Sequence, residues 1–578
     1  MVAAGIVTRF LLLYLCSSVL AAAGGESCRG TPCYYESFDP QRVPWVASAE
    51  KNLEEVFKNY RYYSILRIDV CARMEVTEYL KGDAVSVTQY RQDETGALIE
   101  AAGRVPQRGA ALYLRHCASC HGKDRLGTTG PALLPGNLGR LRRADATDVI
   151  RAGRPATQMP GFGKLLTEAD VDRLVHYIYE APEVTPKWGE DDIRASHILN
   201  HAPDTLRDRP VFDADPLNIF MVVETGDHHV TVLDGDRLEP LHRFPTRYAL
   251  HGGLKYSPDG RFVYLASRDG WISKFDLYNL KTVAEIRAGI NTRNVAVSGD
   301  GQTLLVGNYL PETLVLLDAK DMSLINVIPV RDESGNGSRV SAVYQAAPRG
   351  SFVAALKDIP EVWEIMNEKP AYPVRRIKMG RVLDDFFFND DYRLLIGADR
   401  AEAGGQVIDL DTGKQIARLP LDGMPHLGSG ITWDYQDSRV MATPNLKTGQ
   451  VTVIDMRDWR VVKQIKTLGP GFFMRSHENT QYAWVDVFFG PDKDAMHVFD
   501  KRTLEIVKTI RPSAGKTSAH VEFTRDGRYA LVSVWEMDGA LVVYDAETLA
   551  EVKRIPLRKP SGKYNVYNKI TRSSGTSH

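Results

Sequence analysis

The sequence lacks the features that would point it toward nucleic acid or a bilayer. Lysine and arginine number 72 against 73 aspartate and glutamate, a formal net charge of -1, so no basic surplus invites a polyanion or an acidic membrane surface. Beyond the first turns of chain, no segment is long and apolar enough to span a bilayer, and no transmembrane segment is expected. Cysteine is scarce, six in 578 residues, at positions 16, 28, 33, 71, 117 and 120. Around the last two, a zinc knuckle would need a second ligand pair, and none follows before Met159. A thioredoxin-like site would need a surrounding βαβ pattern, which is also missing.

What is there is Cys117-Ala118-Ser119-Cys120-His121, two thiols spaced to form thioethers with haem vinyl groups and a histidine to ligate the iron. Downstream, a Gly/Pro/Leu loop runs to Asn137-Leu138, and Met159 sits between turn residues in Gln158-Met159-Pro160-Gly161-Phe162, where its thioether suits the sixth position. Met/His ligation raises a haem's potential, which fits an electron carrier. Leu166 to Glu180 predicts a closing helix, capped by Thr167, with Leu174, Tyr177 and Ile178 on one face. Residues from about Val105 to Glu180 resemble a mono-haem cytochrome c domain carrying covalent haem c.

The start of the chain reads as a cleavable secretory signal over 1–24: Arg9, an apolar run from Phe10 to Leu20, then Ala21-Ala22-Ala23. That and the covalent haem point to the periplasm. In an oxidising compartment Cys28 and Cys33 can close a small loop and leave Cys71 odd; the alternative pairs Cys71 with one of them. The extension over 25–102 suggests a helix around Ala47 to Phe57 and a strand from Tyr62 to Cys71, and carries no assignable function.

After the cytochrome region (103–186) and a polar, proline-bearing linker (187–212), the chain repeats to its end with a period of roughly 44 residues. Each copy has a short apolar strand, a turn such as Ser257-Pro258-Asp259-Gly260, an alternating strand, an Asp-containing strand and a last strand. About eight such copies over 213–578 predict an all-β eight-bladed propeller, and the chain as a whole a multidomain protein with a mainly α cytochrome first. The residue entering each innermost strand should face the axial funnel. That rule selects His251, Arg293, His426 and His520, with Asp384 or Asp385 in blade five. Three histidines and an arginine converging on one axis suggest a ligand-holding funnel.

A secreted cytochrome c joined to such a propeller resembles the cytochrome cd1 family, whose funnel holds non-covalent haem d1. The likeness covers roughly Val105 to Asn568, including Arg268-Asp269-Gly270 and the closing Pro560-Ser561-Gly562-Lys563-Tyr564-Asn565. It implies His251 as proximal iron ligand and Arg268 and Arg293 as cations near the macrocycle's carboxylates. It also implies two distal histidines in nitrite-reducing members, and here Lys357 and Asp384 stand in their places, a pair that does not titrate like histidines. The sequence is therefore closer to the branch of the family that completes haem d1 by dehydrogenating dihydro-haem d1, turning a propionate into an acrylate. For that oxidoreductase chemistry His520 is the candidate base or distal ligand. Tyr564 is its assistant or a carboxylate binder, and His426 the distal ligand or a polarising group. The implied partners are the haem d1 precursor, a periplasmic electron acceptor, and the nitrite reductase and other haem d1 maturation proteins. Nitrite reduction with altered distal residues, non-catalytic haem d1 carriage and an electron-transfer propeller without this ligand are the competing readings.

Overall fold

The computed structural model describes residues 108–571 apart from 129, 139–140, 154–158, 249, 251–252 and 400–403; before residue 108 it describes only the backbone of six strands. The described residues fall into two compact units, one within 1–124, 143–151 and 162–180, the other within 125–142, 152–161 and 181–578.

In the first unit, strands Cys33–Ser37, Ala47–Ser48, Tyr62–Asp69, Arg73–Leu80, Asp83–Gln92 and Leu98–Glu100 form one antiparallel sheet. Tyr62–Asp69 is extended as its sequence predicts and pairs from Tyr62↔Leu80 to Asp69↔Arg73. The helix expected from Ala47 is corrected at its start, because Ala47 and Ser48 pair with Tyr35 and Tyr34 as a strand. Cross-strand pairing there overrides local helical preference. Residues 49–57, the signal segment 1–24, Cys28 and Cys71 lie outside the described residues.

The same unit carries helices Arg108–His116, Ala118–His121 and Glu168–Tyr179. The last buries Val171, Leu174, Val175 and Ile178. Thr167 caps it: Asp170 N donates to Thr167 Oγ1 at 3.2 Å while Thr167 N donates to Asp170 Oδ2 at 3.3 Å. Such a reciprocal box is worth about 1 kcal/mol. Tyr113 of the first helix is fully buried, 5.4 Å from the Tyr177 ring.

The second unit is an eight-bladed propeller. Seven blades are four consecutive strands, starting at Lys255, Asn291, Val340, Leu383, Ile431, Met474 and Ser518. The eighth closes the ring: Pro560–Asn565, from the end of the repeats, pairs antiparallel with Ile219–Glu224 from their beginning, Tyr564 opposite Met221. Counting this closing blade as one, buried clusters link each blade to the next, from Val263 against Ile219 (two and one) round to Leu531 against Phe220 (eight and one). Since both faces of a blade are covered by neighbours, the inner strands read as near-continuous apolar runs, such as Ile219 to Val223.

The turn chemistry explains the repeat. Ser257 Oγ donates to Asp259 Oδ1 at 2.5 Å while Gly260 N donates to Ser257 O at 2.8 Å, with Gly260 at φ 76°. Ser298-Asp300-Gly301 and Thr524-Asp526-Gly527 repeat it, their glycines at φ 69° and 74°. The aspartate ending the third strand accepts backbone N–H groups two and three residues on, as at Asp234, Asp276, Asp409 and Asp545. The stretch read as a linker is structured too: Ile193 is buried in the core between blades two and three, and Ile198–Leu199 adds a fifth strand to blade two. Among the described residues no helix is long and apolar enough to cross a membrane.

Candidate functional site at the propeller axis

The haem-attachment motif lies on a short turn of helix after Arg108–His116. His121 is buried, Cys117 half-buried and Cys120 exposed. Tyr113 donates its hydroxyl to Gly122 O at 2.7 Å, fixing the backbone beside His121. A buried imidazole beside an exposed and a half-buried thiol is a donor set suited to covalent haem. Met159 belongs to the second unit and is half-buried. In that unit the segment after the motif packs on the propeller, Ala132 and Leu134 against Ile290, and Asn137 Nδ2 donates to Ile290 O at 3.2 Å.

At the axis, one structural device recurs. The innermost strands of blades three, four, five and eight each carry an extra residue at a β-bulge near their start: Arg293, Ser341, Asp384 and His520. A bulge breaks the two-residue alternation and re-aims one side chain, here on the inner edge of each blade. Three of these residues are linked in sequence, Arg293 Nε donating to Ser341 O at 2.7 Å and Ser341 Oγ to Asp384 O. His520 has φ 52°, the left-handed region that few residues other than glycine adopt.

In blade six His426 precedes a 3-10 turn, Leu427–Ser429, and the inner strand starts only at Ile431, a correction to the strand expected directly after it. His426 bridges two blades: Nδ1 is 2.7 Å from Phe472 O and Nε2 3.6 Å from Asp385 Oδ2. Asp385 is held in turn by Tyr344 OH at 2.8 Å and Gly428 N at 2.9 Å. Burial, outweighing Asp385, lowers the His426 pKa, so the imidazole is neutral.

From His426 an aromatic wall runs to His520 and Tyr564. Ring centroids lie 4.2 Å apart for His426 and Phe472, 4.5 Å for Phe472 and Phe473, 4.8 Å for Phe473 and His520, and 5.5 Å for His520 and Tyr564. Phe488 and Trp535 extend the wall, 5.3 Å apart. Burial, with Lys563, Arg475 and Lys569 nearby, pushes His520 well below the usual imidazole range, while burial raises the Tyr564 phenol. A neutral imidazole thus faces a protonated phenol. A side chain on Gly562 would collide with the Tyr564 hydroxyl, 2.3 Å from where its Cβ would sit. Beside the wall lie the buried Lys255 and Lys569 and the less buried Arg475, with Glu522 3.4 Å from Arg475. Burial, then Arg293 and Arg475, pull Lys255 down to about 7.

The opposite side, from blades two to five, is cationic. Arg268 lies 5.5 Å over the Tyr309 ring, and Lys357 Nζ donates to Tyr309 OH at 3.0 Å and pairs with Asp384 at 3.6 Å. Burial pushes the Tyr309 phenol up, but Arg293, Lys357 and Arg268 outweigh it and bring its pKa down to about 8. The arginine and lysine cluster about Tyr309, together with the imidazoles of His426 and His520, suits a flat, iron-bearing macrocycle with carboxylate arms. A surface cleft of about 610 Å³ between blades four and five is another matter, since its Arg349 pairs with Glu364 and Asp411, each at 2.7 Å.

The structure thus groups His426, His520 and Tyr564 on one wall and Arg268 and Arg293 on the other; His251 lies outside the described residues. Sequence reasoning missed Phe472, Phe473, Asp486, Lys255, Arg475 and Tyr309. The rule that found His426 and His520, applied to blade seven, gives Phe472-Phe473 before Met474–Ser476.

The fold and this axis define a class, tetrapyrrole-binding redox propellers fused to a c-type cytochrome. The Cytochrome D1 heme domain matches residues 214–569, and residues 104–178 match Cytochrome C oxidase, cbb3-type, subunit III. The chain belongs to the cytochrome D1 heme domain family. It is 60% identical to the dihydro-heme d1 dehydrogenase of Pseudomonas aeruginosa over 84% of this chain and 98% of that protein. It is 24% identical to the nitrite reductase of Stutzerimonas stutzeri over 79% of this chain and 92% of that one. A solved structure of a dihydro-heme d1 dehydrogenase, NirN, in complex with DHE matches with TM-score 0.79 and 60% identity, over 80% of this chain and all of that one.

Proposed function

We propose that this protein is an oxidoreductase that dehydrogenates dihydro-haem d1, converting a propionate to an acrylate as the last step of haem d1 formation. The observation that carries this reading is the wall from His426 through Phe472 and Phe473 to His520 and Tyr564, in a chain 60% identical to a dihydro-heme d1 dehydrogenase. The reaction takes –CH2–CH2–COO⁻ to –CH=CH–COO⁻ and releases two protons and two electrons. Arg268 and Arg293 hold carboxylates of the substrate, and the aromatic wall fixes its plane, so the reacting side chain meets the proton-accepting groups in one orientation. His251 is the proximal and His426 the distal ligand of the substrate's iron. His520, neutral at this depth, takes up one of the two protons while the other passes to water, and Tyr564 keeps its own and orients the reacting side chain.

Cys117 and Cys120 would attach haem c and His121 and Met159 would hold its iron, and that group would supply a one-electron acceptor through which the two electrons would leave singly. The proposal includes the layout of a signal at 1–24, an extension at 25–102, a cytochrome domain at 103–186, a linker at 187–212 and a propeller at 213–578. It places the protein in the periplasm, receiving the haem d1 precursor from maturation proteins, passing product toward nitrite reductase and electrons to a periplasmic acceptor. Nitrite reduction is disfavoured by Lys357 and Asp384, whose ion pair spans 3.6 Å and leaves no imidazole there to protonate nitrite oxygen.

Anaerobic mixing of the haem-c-loaded protein with dihydro-haem d1 tests the reading. Loss of two hydrogens from the pigment, dependent on an electron acceptor, is expected. Tight binding without a mass change would leave a carrier, and turnover of nitrite to nitric oxide a reductase.

A further inference from the structure

Asp486 ends the second strand of blade seven, Tyr482–Asp486, and has no exposed surface. Its Oδ1 accepts from Phe472 N at 2.7 Å and Phe473 N at 3.1 Å, and its Oδ2 accepts from His520 N at 3.3 Å. Three backbone donors from two blades therefore meet on one carboxylate. Buried carboxylates are tolerated where hydrogen bonds satisfy their oxygens, and these are satisfied by the segments that carry the aromatic wall.

Each of those segments leads to a candidate histidine. The Phe472 carbonyl lies 2.7 Å from His426 Nδ1, so the peptide chain that Asp486 anchors also sets the imidazole of blade six. His520 is gripped on both sides, its N–H by Asp486 and its carbonyl by Lys563 Nζ, which also donates to Ser533 Oγ at 2.9 Å. That double grip falls on the bulged residue with φ 52°, a conformation that persists in a histidine only when its surroundings enforce it. The approach is close: a Cβ on Gly471 would lie 2.6 Å from the Asp486 carbonyl oxygen, which accounts for glycine just before the two phenylalanines.

We propose that Asp486 is a positioning residue of the axial site, gathering the backbones of Phe472, Phe473 and His520 and so fixing His426 and His520 relative to one another. The proposal rests on the reading of those two histidines as groups that face the substrate. Asp486 itself touches neither substrate nor iron; it acts through the two peptide segments.

The test uses the full chain with haem c attached and the variant Asp486→Asn, which keeps the shape but turns an amide NH2 toward one of the donors. Expected are an unchanged haem c spectrum, binding of dihydro-haem d1 within about threefold of the parent, and shifted bands of the bound pigment. With them, kcat falls by about tenfold or more while KM moves by less than about threefold. A parent-like pigment spectrum and kcat would overturn the proposal. If Asp486→Asn does not accumulate, His520→Gly and His520→Ala decide: glycine is expected to melt about 1–3 °C above alanine, since φ 52° suits it. Equal or reversed melting would sink the idea of an enforced backbone. If the parent fails to dehydrogenate the pigment, the function reading falls, while the spectral shift and melting order still report on the clamp.

Discussion

The two sides of the propeller axis hold their functional groups in different ways. On the cationic side, Arg268, Arg293 and Lys357 surround one phenol, Tyr309, through long side chains that overlap in reach. On the other side the histidines are set by contacts with neighbouring blades: His426 by Phe472 O and Asp385, His520 by Asp486 and Lys563. Overlapping cations make binding tolerant, because losing one leaves others within reach of a carboxylate. Rings set through specific contacts with neighbouring blades make chemistry exacting, because a shift of about an ångström there can cost on the order of a hundredfold. The molecule thus separates a forgiving grip from an unforgiving alignment.

Variants can break that contrast, beginning with the largest effect. Replacing His426 with alanine is expected to lower kcat by about a hundredfold or more, with the bound pigment's spectrum reporting loss of a distal ligand. Tyr564→Phe keeps the ring but removes the hydroxyl and is expected to cost about thirtyfold in kcat with KM little changed, read by steady-state kinetics. His520→Asn is expected to cost about tenfold. Burial and the Lys563, Arg475 and Lys569 charges already make its imidazolium expensive, so it is a weak final proton store. On the forgiving side, Arg268→Gln is expected to weaken pigment binding only about threefold in a titration, and to leave kcat in place.

The smallest effect sharpens the comparison by pH. Below about pH 8 Tyr309 is a neutral phenol and the cations around it act at full strength. As pH rises through about 8 it becomes a phenolate, cancels part of that charge, and affinity for the carboxylate-bearing pigment is expected to fall by about threefold. Tyr309→Phe should flatten this limb in a binding titration across pH 7 to about 9.5; a limb that survives the substitution belongs to another group.

Much of this was legible beforehand because it is periodic. The Ser/Thr-x-Asp-Gly turns and strand-ending aspartates announce a repeat, and the repeat locates the starts of the inner strands; His520 lies in one, and His426 is found although a 3-10 turn separates it from its strand. The bulges were not legible, because a one-residue insertion in the pairing leaves no mark in the hydrophobic pattern when the strand is buried on both faces. Nor was Asp486, which looks like one more strand-ending aspartate of the kind that caps turns. Only the proximity of blades seven and eight turns it toward His520. The short strand at Ala47 escaped for a similar reason, its partners lying at Tyr34 and Tyr35 in an earlier segment.

Tyr564 and Lys563 lie on Pro560–Asn565, the strand that joins the end of the repeats to their beginning. A chain without this strand therefore lacks both the Tyr564 phenol and the Lys563 amine nitrogen that grips the His520 carbonyl. Completing the ring and arming the site are one event. The closing strand thus ties completion of the ring to the placement of Tyr564 and Lys563 beside His520.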